Sequence, residues 1–486
     1  MQCKQPFRRL RLNFISRAAT AILAIAVVFA LTVVMSPLAQ AQKPATSVAW
    51  PEKVLFSFNG TDGSGPTAGL IFDAAGNLYG TTSGGGTHGV GTVFELTPTA
   101  GGGWTEKELY NFCSQDNCTD GGRPVAGLIF DAAGNLYGTT NGGGSYRGGT
   151  VFELTSTAGG GWAETVLHSF NCFSVADGCA PLAGLIFDAA GNLYGTTSQG
   201  GAYNGGNCSS TGCGTVFELT PTEGGGWTEQ VLHNFGNSTD GNAPYAGLIF
   251  DAAGNLYGTT LFGGTYGFGT VFELTPAGAE TVLHSFNPYN GTDGYYPYAG
   301  LILDAAGNLY GTTFYGGTYG VGTVFELTPT AGGGWTEKEL YNFCSQDNCT
   351  DGGTPYAALI FGAGGDLYGT TEGGGTYGSG TVVELMAAAG GWTEKVLYSF
   401  CAQSNCPDGA APYAGLIFDA TGNLYGTTFL GGVHTNGNGW GTVFELTPVY
   451  PCARCSQRAL HEGDVLPAEG RDVLELEQEQ ERDRTN

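Results

Sequence analysis

Seven near-copies of one segment fill this chain, and that repetition limits its fold more than any single residue does. The landmark reads G-L-I-F-D-A-A-G-N-L-Y-G-T-T. Its Asp position falls at Asp73, Asp131, Asp188, Asp251, Asp304, Gly362 and Asp419, in steps of 58, 57, 63, 53, 58 and 57 residues. A period of this length holding several short strands points to a propeller or a similar repeat array.

Each copy carries four strand-like runs bounded by turn residues. In the first copy they are Ala68 to Phe72, Asn77 to Thr82, Gly91 to Thr97 and Glu106 to Phe112. β-Branched and aromatic residues dominate, as in strands buried on both faces. Of the 486 residues 86 are Gly, and they recur at fixed positions, which suits turns. A composition 41% hydrophobic and 12% aromatic argues for a packed core rather than a low-complexity chain. The D-A-A-G-N segment reads as a turn, with Asp accepting backbone N–H bonds and Gly supplying positive φ. It lacks the alternating oxygen ligands of a calcium loop. The sixth copy has Gly362-Ala363-Gly364-Gly365-Asp366 there and loses its Asp cap.

Four strands repeated seven times predict an all-β fold, a seven-bladed β-propeller over residues 50–448. A fourth-type strand, Glu52 to Phe58, precedes the first full copy. The last copy stops after its third strand, Gly441 to Thr447. The N-terminal strand is therefore expected to complete the last blade as its outermost strand, which removes both open edges. An open solenoid would need polar capping repeats, and none is visible.

The ends differ from the repeats. Lys4, Arg8, Arg9, Arg11 and Arg17 precede an apolar stretch from Ala18 to Met35, and Ala39-Gln40-Ala41 offers a small-x-small cleavage site. Residues 1–41 read as a signal peptide and 42–49 as a linker, with an uncleaved membrane anchor as the rival. After cleavage no segment is long and apolar enough to span a membrane. Residues 449–486 are rich in Glu, Gln and Arg and read as a charged, disordered tail or a frame-shifted end.

Residues 42–448 hold seven Lys or Arg against 34 Asp or Glu, a net of −27. Nucleic acid is excluded as a partner, because its recognition needs a basic surface. Of the 13 cysteines, 12 fall into close pairs. Five pairs lie within the repeats: Cys113/Cys118, Cys172/Cys179, Cys208/Cys213, Cys344/Cys349 and Cys401/Cys406. The sixth, Cys452/Cys455, lies in the tail. An even count behind an export signal reads as disulfides, in a secreted, periplasmic or cell-surface protein.

Propeller geometry sorts the loops. Connections after strands two and four open on one face, and those after strands one and three on the other. The second face is nearly constant in length. On the first, the loop after strand two grows to 16 residues from Ser198 to Cys213 and 12 from Phe429 to Trp440. The loop after strand four holds most cysteine pairs and an Asp-Gly in every copy. Variable loops on a rigid scaffold are where binding resides. The ligand-binding candidates are Asp240, Asp293, Tyr266, Tyr296, Tyr319, Tyr377 and Trp440, since aromatics beside carboxylates can stack on sugars or cage a cation. The plain alternative for each is a turn Asp or an inter-blade packing aromatic.

No catalytic residue is assigned. His168, His233 and His284 occupy one position in strand four, where other copies have Phe56, Tyr110, Tyr341 and Tyr398; that interchange marks a packing site. Glu95 and its six equivalents sit mid-strand and look structural. No nucleophile motif, phosphate loop or metal-spaced His cluster is present. Residues 89–122 are identical to 320–353, and such copying works against a unique active site.

The D-A-A-G-N-L-Y-G-T-T … G-T-V-F-E-L-T-P pattern resembles the GloVer (Gloeo/Verruco) tandem repeats of exported bacterial proteins over about residues 50–448. The resemblance implies a surface or secreted repeat protein, and it transfers no catalytic residue. The tail departs from the family in carrying no recognisable sorting signal. The reading is an exported, monomeric, non-enzymatic scaffold that binds a glycan or a surface protein, with calcium as the candidate ion and no other cofactor. The alternatives are a carbohydrate-active or lyase-type propeller enzyme with channel carboxylates, and a purely structural cell-surface protein.

Overall fold

A computed structural model of the chain describes residues 48–203, 208, 210–237, 239–434 and 439–449. The signal-peptide expectation, most of the linker, the Cys452/Cys455 pair and nearly all of the tail lie outside them. Among the described residues no helix is long and apolar enough to cross a membrane.

The chain builds seven four-stranded antiparallel sheets, six of them each made from one copy of the repeat. Strand β1 (Glu52–Ser57) comes first, and blade one follows as β2 (Ile71–Phe72), β3 (Leu78–Thr82), β4 (Thr92–Pro98) and β5 (Trp104–Asn111). The order is β2-β3-β4-β5 from the axis outward, and the next five blades repeat it. Blade seven contributes only Ile417–Phe418, Leu424–Thr428 and Thr442–Leu446. Its fourth place is taken by β1, which pairs Glu52 with Leu446 and Ser57 with Thr442. The expected closure is thus formed, and an Ala49 to Val449 bridge extends it beyond the strand ends.

Two strand expectations change. The innermost strand is two residues long, not five, and the segment before it runs along the same segment of the neighbouring blade. A Cβ on Gly69 would lie 3.5 Å from the Gly415 carbonyl oxygen, and one on Gly127 would lie 3.5 Å from that of Gly69. The same contact passes from blade to blade around the axis. The outermost strand is not buried on both faces. In β5 exposure alternates along the first half, Trp104 to Leu109, because the strand forms the outer perimeter. Only the L-Y-G-T-T strand is buried throughout in blade one.

The L-Y-G-T-T sequence has a role at each position. Leu78 is fully buried. Gly80 leaves room for Phe94, whose ring would lie 2.6 Å from a Cβ there. Thr81 Oγ1 donates to the Ala126 carbonyl of the next blade at 3.0 Å. Thr82 and Thr92 share a hydroxyl hydrogen bond of 2.8 Å inside the blade. The inter-blade staple recurs, as from Thr139 to Ala183, and Thr427 returns it to Ala68 across the closing seam. Thr139→Val keeps the shape but orphans a buried carbonyl. It should cost about 1–3 kcal/mol, read as a lower denaturation midpoint at an unchanged slope.

The D-A-A-G-N turn forms as expected. Asp73 Oδ1 accepts from the N–H groups of Ala75 and Asn77, and Oδ2 from the Asn77 side chain and the Tyr79 hydroxyl. Tyr79 also donates to Glu95 at 2.9 Å, which gives that mid-strand Glu its structural partner. Burial pushes the Asp73 pKa up, but these hydrogen bonds outweigh it and hold the group below its ordinary value. Blade six, with Gly362, keeps the backbone turn through the Gly362 N–H bond to Asp366 without the carboxylate cap.

Candidate functional site

The repeat makes one unlike set of residues at the axis. The P-x-A-G segment enters each innermost strand from the variable-loop face. Its second residue is Thr67, Val125 and Leu182 in blades one to three, but Tyr245, Tyr298, Tyr356 and Tyr413 in blades four to seven. The residue after G-T-T varies too, and three of its copies, Phe314, Glu372 and Phe429, stand beside these tyrosines. Together they line an axial funnel with a volume of about 660 Å³. One wall is aliphatic and the other aromatic.

The aromatic wall is held by ring-on-ring contacts. Tyr298 and Tyr356 stack with centroids 4.8 Å apart and planes at 23°. Tyr356 meets Tyr413 edge-on at 5.0 Å, and Tyr413 meets Phe429 at 5.1 Å. Burial and the neighbouring tyrosines and Glu372 push the Tyr356 pKa up to about 12, so its hydroxyl stays a donor. Glu372 is the one carboxylate in this lining. It accepts from the Tyr413 hydroxyl at 2.8 Å, and burial with this bond raises the Tyr413 pKa. A two-carboxylate hydrolytic pair is not made by the residues lining the funnel.

From Phe314 an aromatic strip leads outward through Tyr315 at 4.6 Å to Tyr295 and Tyr296, then Phe268 and the exposed Tyr289. Tyr296 therefore lies in this strip. Tyr266, Tyr319 and Tyr377 are exposed at the loop tips, outside the funnel. Trp440 packs against the core cluster under β1, and a Cβ on Gly60 would come within 3.2 Å of its ring. Its position serves closure. The sequence candidates thus do not converge; Tyr298, Tyr356 and Tyr413 belong to the aromatics of the variable face, but sequence alone does not set them apart from inter-blade packing residues. The signal lay in comparing copies: that position changes from Thr, Val and Leu to Tyr halfway round.

Asp240 and Asp293 are buried and hold their own loops. Asp240 accepts from the Gly236 N–H at 3.0 Å, and Asp293 from the Asn287 N–H at 2.8 Å. Each also meets the strand-four histidine, His233 at 3.3 Å and His284 at 3.1 Å. Where the histidine is replaced by tyrosine, the hydroxyl does the same, as Tyr341 does to Asp351 at 2.7 Å. The position is thus a hydrogen-bonding site as well as a packing site. Phe56 is the exception without a donor, and there Asn59 bonds Asp62 instead.

Each of these Asp residues also faces a Glu on the outer strand of the following blade. The glutamates are Glu52, Glu106, Glu164, Glu229, Glu280, Glu337 and Glu394, and in every one Oε1 is buried with no hydrogen-bond partner. Desolvation first, and the nearby Asp second, push Glu164 up to about 8. The others rise to about 7 or 8 by the same burial, with Asp408 acting on Glu52 and Asp351 on Glu394. Seven acid pairs thus sit at the seven seams.

The five expected disulfides within the repeats are formed: Cys113–Cys118, Cys172–Cys179, Cys208–Cys213, Cys344–Cys349 and Cys401–Cys406. They fasten loops of the variable face. The fold and funnel define a repeat propeller with one asymmetric axial mouth. The chain belongs to the Gloeobacter/Verrucomicrobia repeat family, which matches residues 43–208 and 207–444. No curated protein matches it. Among solved structures it is similar to one described as a candidate oxidoreductase (glucose dehydrogenase) from Thermus thermophilus, at 18% identity, 67% of this chain, 96% of that chain and a TM-score of 0.39. A candidate gluconolactonase matches at 12% identity, 83% and 93% coverage and a TM-score of 0.35. A candidate 6-phosphogluconolactonase from Bacteroides uniformis matches at 14%, 74% and 88% with a TM-score of 0.44. Likenesses of this strength carry no activity across to this chain.

Proposed function

We propose that this protein is an exported binding propeller that takes a neutral glycan chain at the axial funnel of its variable face. The observation that carries the reading is the asymmetric lining: four tyrosines on one side, with Glu372 among them, facing Thr67, Val125 and Leu182. Aromatic faces stack on the apolar face of a sugar ring, while tyrosine hydroxyls and one carboxylate satisfy its hydroxyl groups. A volume of about 660 Å³ holds one or two such rings, and the strip from Tyr315 to Tyr289 offers a path for more. The loop disulfides support export, because they persist in oxidising compartments.

A glycan array followed by titration tests this. Tyr298→Ala or Tyr356→Ala should weaken binding about tenfold, while Tyr377→Ala on the rim should not. Failure of every neutral glycan to bind would leave the structural surface protein as the better reading. A carbohydrate-active enzyme is favoured by one observation, Glu372 held by Tyr413 inside the funnel. Product release from a bound glycan, lost in Glu372→Gln while binding is kept, would establish that second reading.

A further inference from the structure

One seam differs from the other six. Asp293 follows the outer strand of blade four, Glu280–Ser285, and Glu337 and Glu339 lie on the outer strand of blade five, Trp335–Asn342. One oxygen from each of the three carboxylates lies within 4.8 Å of the other two. Asp293 is 4% exposed. Its Oδ2 is occupied by the Asn287 N–H and faces His284, yet its Oδ1 is buried and no hydrogen bond reaches it. Glu337 Oε1 is buried and unpartnered in the same way. Thr292 and Asn342 hydrogen-bond the Glu339 carboxylate.

Five of the other six copies lack the third acid. At the position of Glu339 the outer strands of blades two, three, four and six have Val166, Val231, Val282 and Val396, and β1 has Val54. Blade one also has Glu108, to which Asn111 donates as Asn342 does to Glu339, but there Asn59 occupies Asp62, and among the described residues those three acids do not draw together as Asp293, Glu337 and Glu339 do. Three carboxylates with two buried, unpartnered oxygens are costly to ionise side by side, and His284 reaches only Oδ2 of Asp293, not the unpartnered Oδ1. A proton shared within the cluster, or a cation, would satisfy them.

We propose that Asp293, Glu337 and Glu339 form a calcium site that clamps blade four to blade five. The donors are all oxygen, which selects a hard cation. Two ligands of one calcium ion, each about 2.3–2.6 Å from it, can lie up to about 5 Å apart, and the cluster falls within that span. Water would complete the six to eight oxygens such an ion takes.

The test is calorimetric titration of calcium chloride into chelator-treated full-length protein at pH 7, with circular dichroism to confirm folding. We expect one site with a dissociation constant of about 10⁻⁴–10⁻³ M, in the range of extracellular modules. Glu337→Gln and Glu339→Gln should each weaken it at least tenfold. Glu394→Gln, at a seam with no third acid, should leave it unchanged, and so should Tyr356→Ala in the funnel. Equal calcium affinity in all variants overturns the site, as does an absence of calcium binding. Stabilisation by protons alone, with calcium adding nothing to the melting midpoint, assigns the seam a shared proton and also overturns it. None of these readouts depends on a glycan.

Discussion

Raising the pH from 5 to 8 in the presence of a chelator should lower the melting midpoint of this protein. The cause is the ring of seam glutamates. Folding raises their pKa from an ordinary value of 4.5 to about 7 or 8, through burial first, with the nearby Asp adding to it. A carboxyl group with a raised folded pKa binds its proton more tightly in the native state. Its contribution is fully present below pH 4.5 and is lost as the pH climbs through 7 to 8. Seven copies act in the same direction. The capped turn aspartates act in the opposite one. Hydrogen bonding holds Asp73, Asp131, Asp188, Asp251, Asp304 and Asp419 below their ordinary value of 3.8, so their stabilisation is lost only as the pH falls below it. Stability should therefore peak near pH 5. Solvent screening at these half-buried seams limits each contribution, and a fall of about 5 °C between pH 5 and 8 is the expected scale. Glu164→Gln should flatten the slope by raising the midpoint at pH 8 with little change at pH 5. A midpoint that rises or stays level from pH 5 to 8 would show that the seams do not hold protons.

Removing β1 should abolish cooperative folding. A chain beginning at residue 60 loses Leu55 and the fully buried Phe58, which pack with Phe94, Leu78 and Val443 in the closing core cluster. Large-to-small changes at two such sites cost about 2–5 kcal/mol each, comparable with the whole stability of about 5–15 kcal/mol of a typical domain. The deletion also bares Thr442–Leu446 as an open edge, a template for aggregation. The truncated chain should aggregate on refolding, and a synthetic peptide of residues 48–59 added in trans should restore a soluble, cooperative transition. A truncated chain that melts like the intact one would mean that the ring does not depend on β1 for closure.

Much of this architecture was legible in the repeat. Strand number, closure by Glu52 to Phe58 and the Asp cap of the D-A-A-G-N turn follow from local patterns, because each copy states them again. Strand extent was less legible. The inner strand is two residues long, and the blade-to-blade contacts of the segment before it, as at Gly69 and Gly127, exist only once blades surround an axis. The site was the least legible. Exposed tyrosines such as Tyr319 and Tyr377 look available in sequence, but distance from the axis is a property of the assembled ring. Tyr298 and Tyr356 come together from segments 58 residues apart, and a repeat position is normally read for what its copies share. The seam acids were hidden for a related reason. Asp293 and Glu337 belong to different blades, and neither marks its partner in the chain.

The two identical stretches, residues 89–122 and 320–353, are offset by 231 residues, the length of four blades. Recombination between them would excise or insert four blades at one stroke. An exchange of that kind would change copy number in steps of four. A ring whose first strand must find its last sheet restrains that freedom. Products with three blades or eleven would bring β1 and Thr442–Leu446 to the wrong separation and angle for pairing. Folding thus acts as an audit of gene length, passing only those rearrangements whose ends still meet.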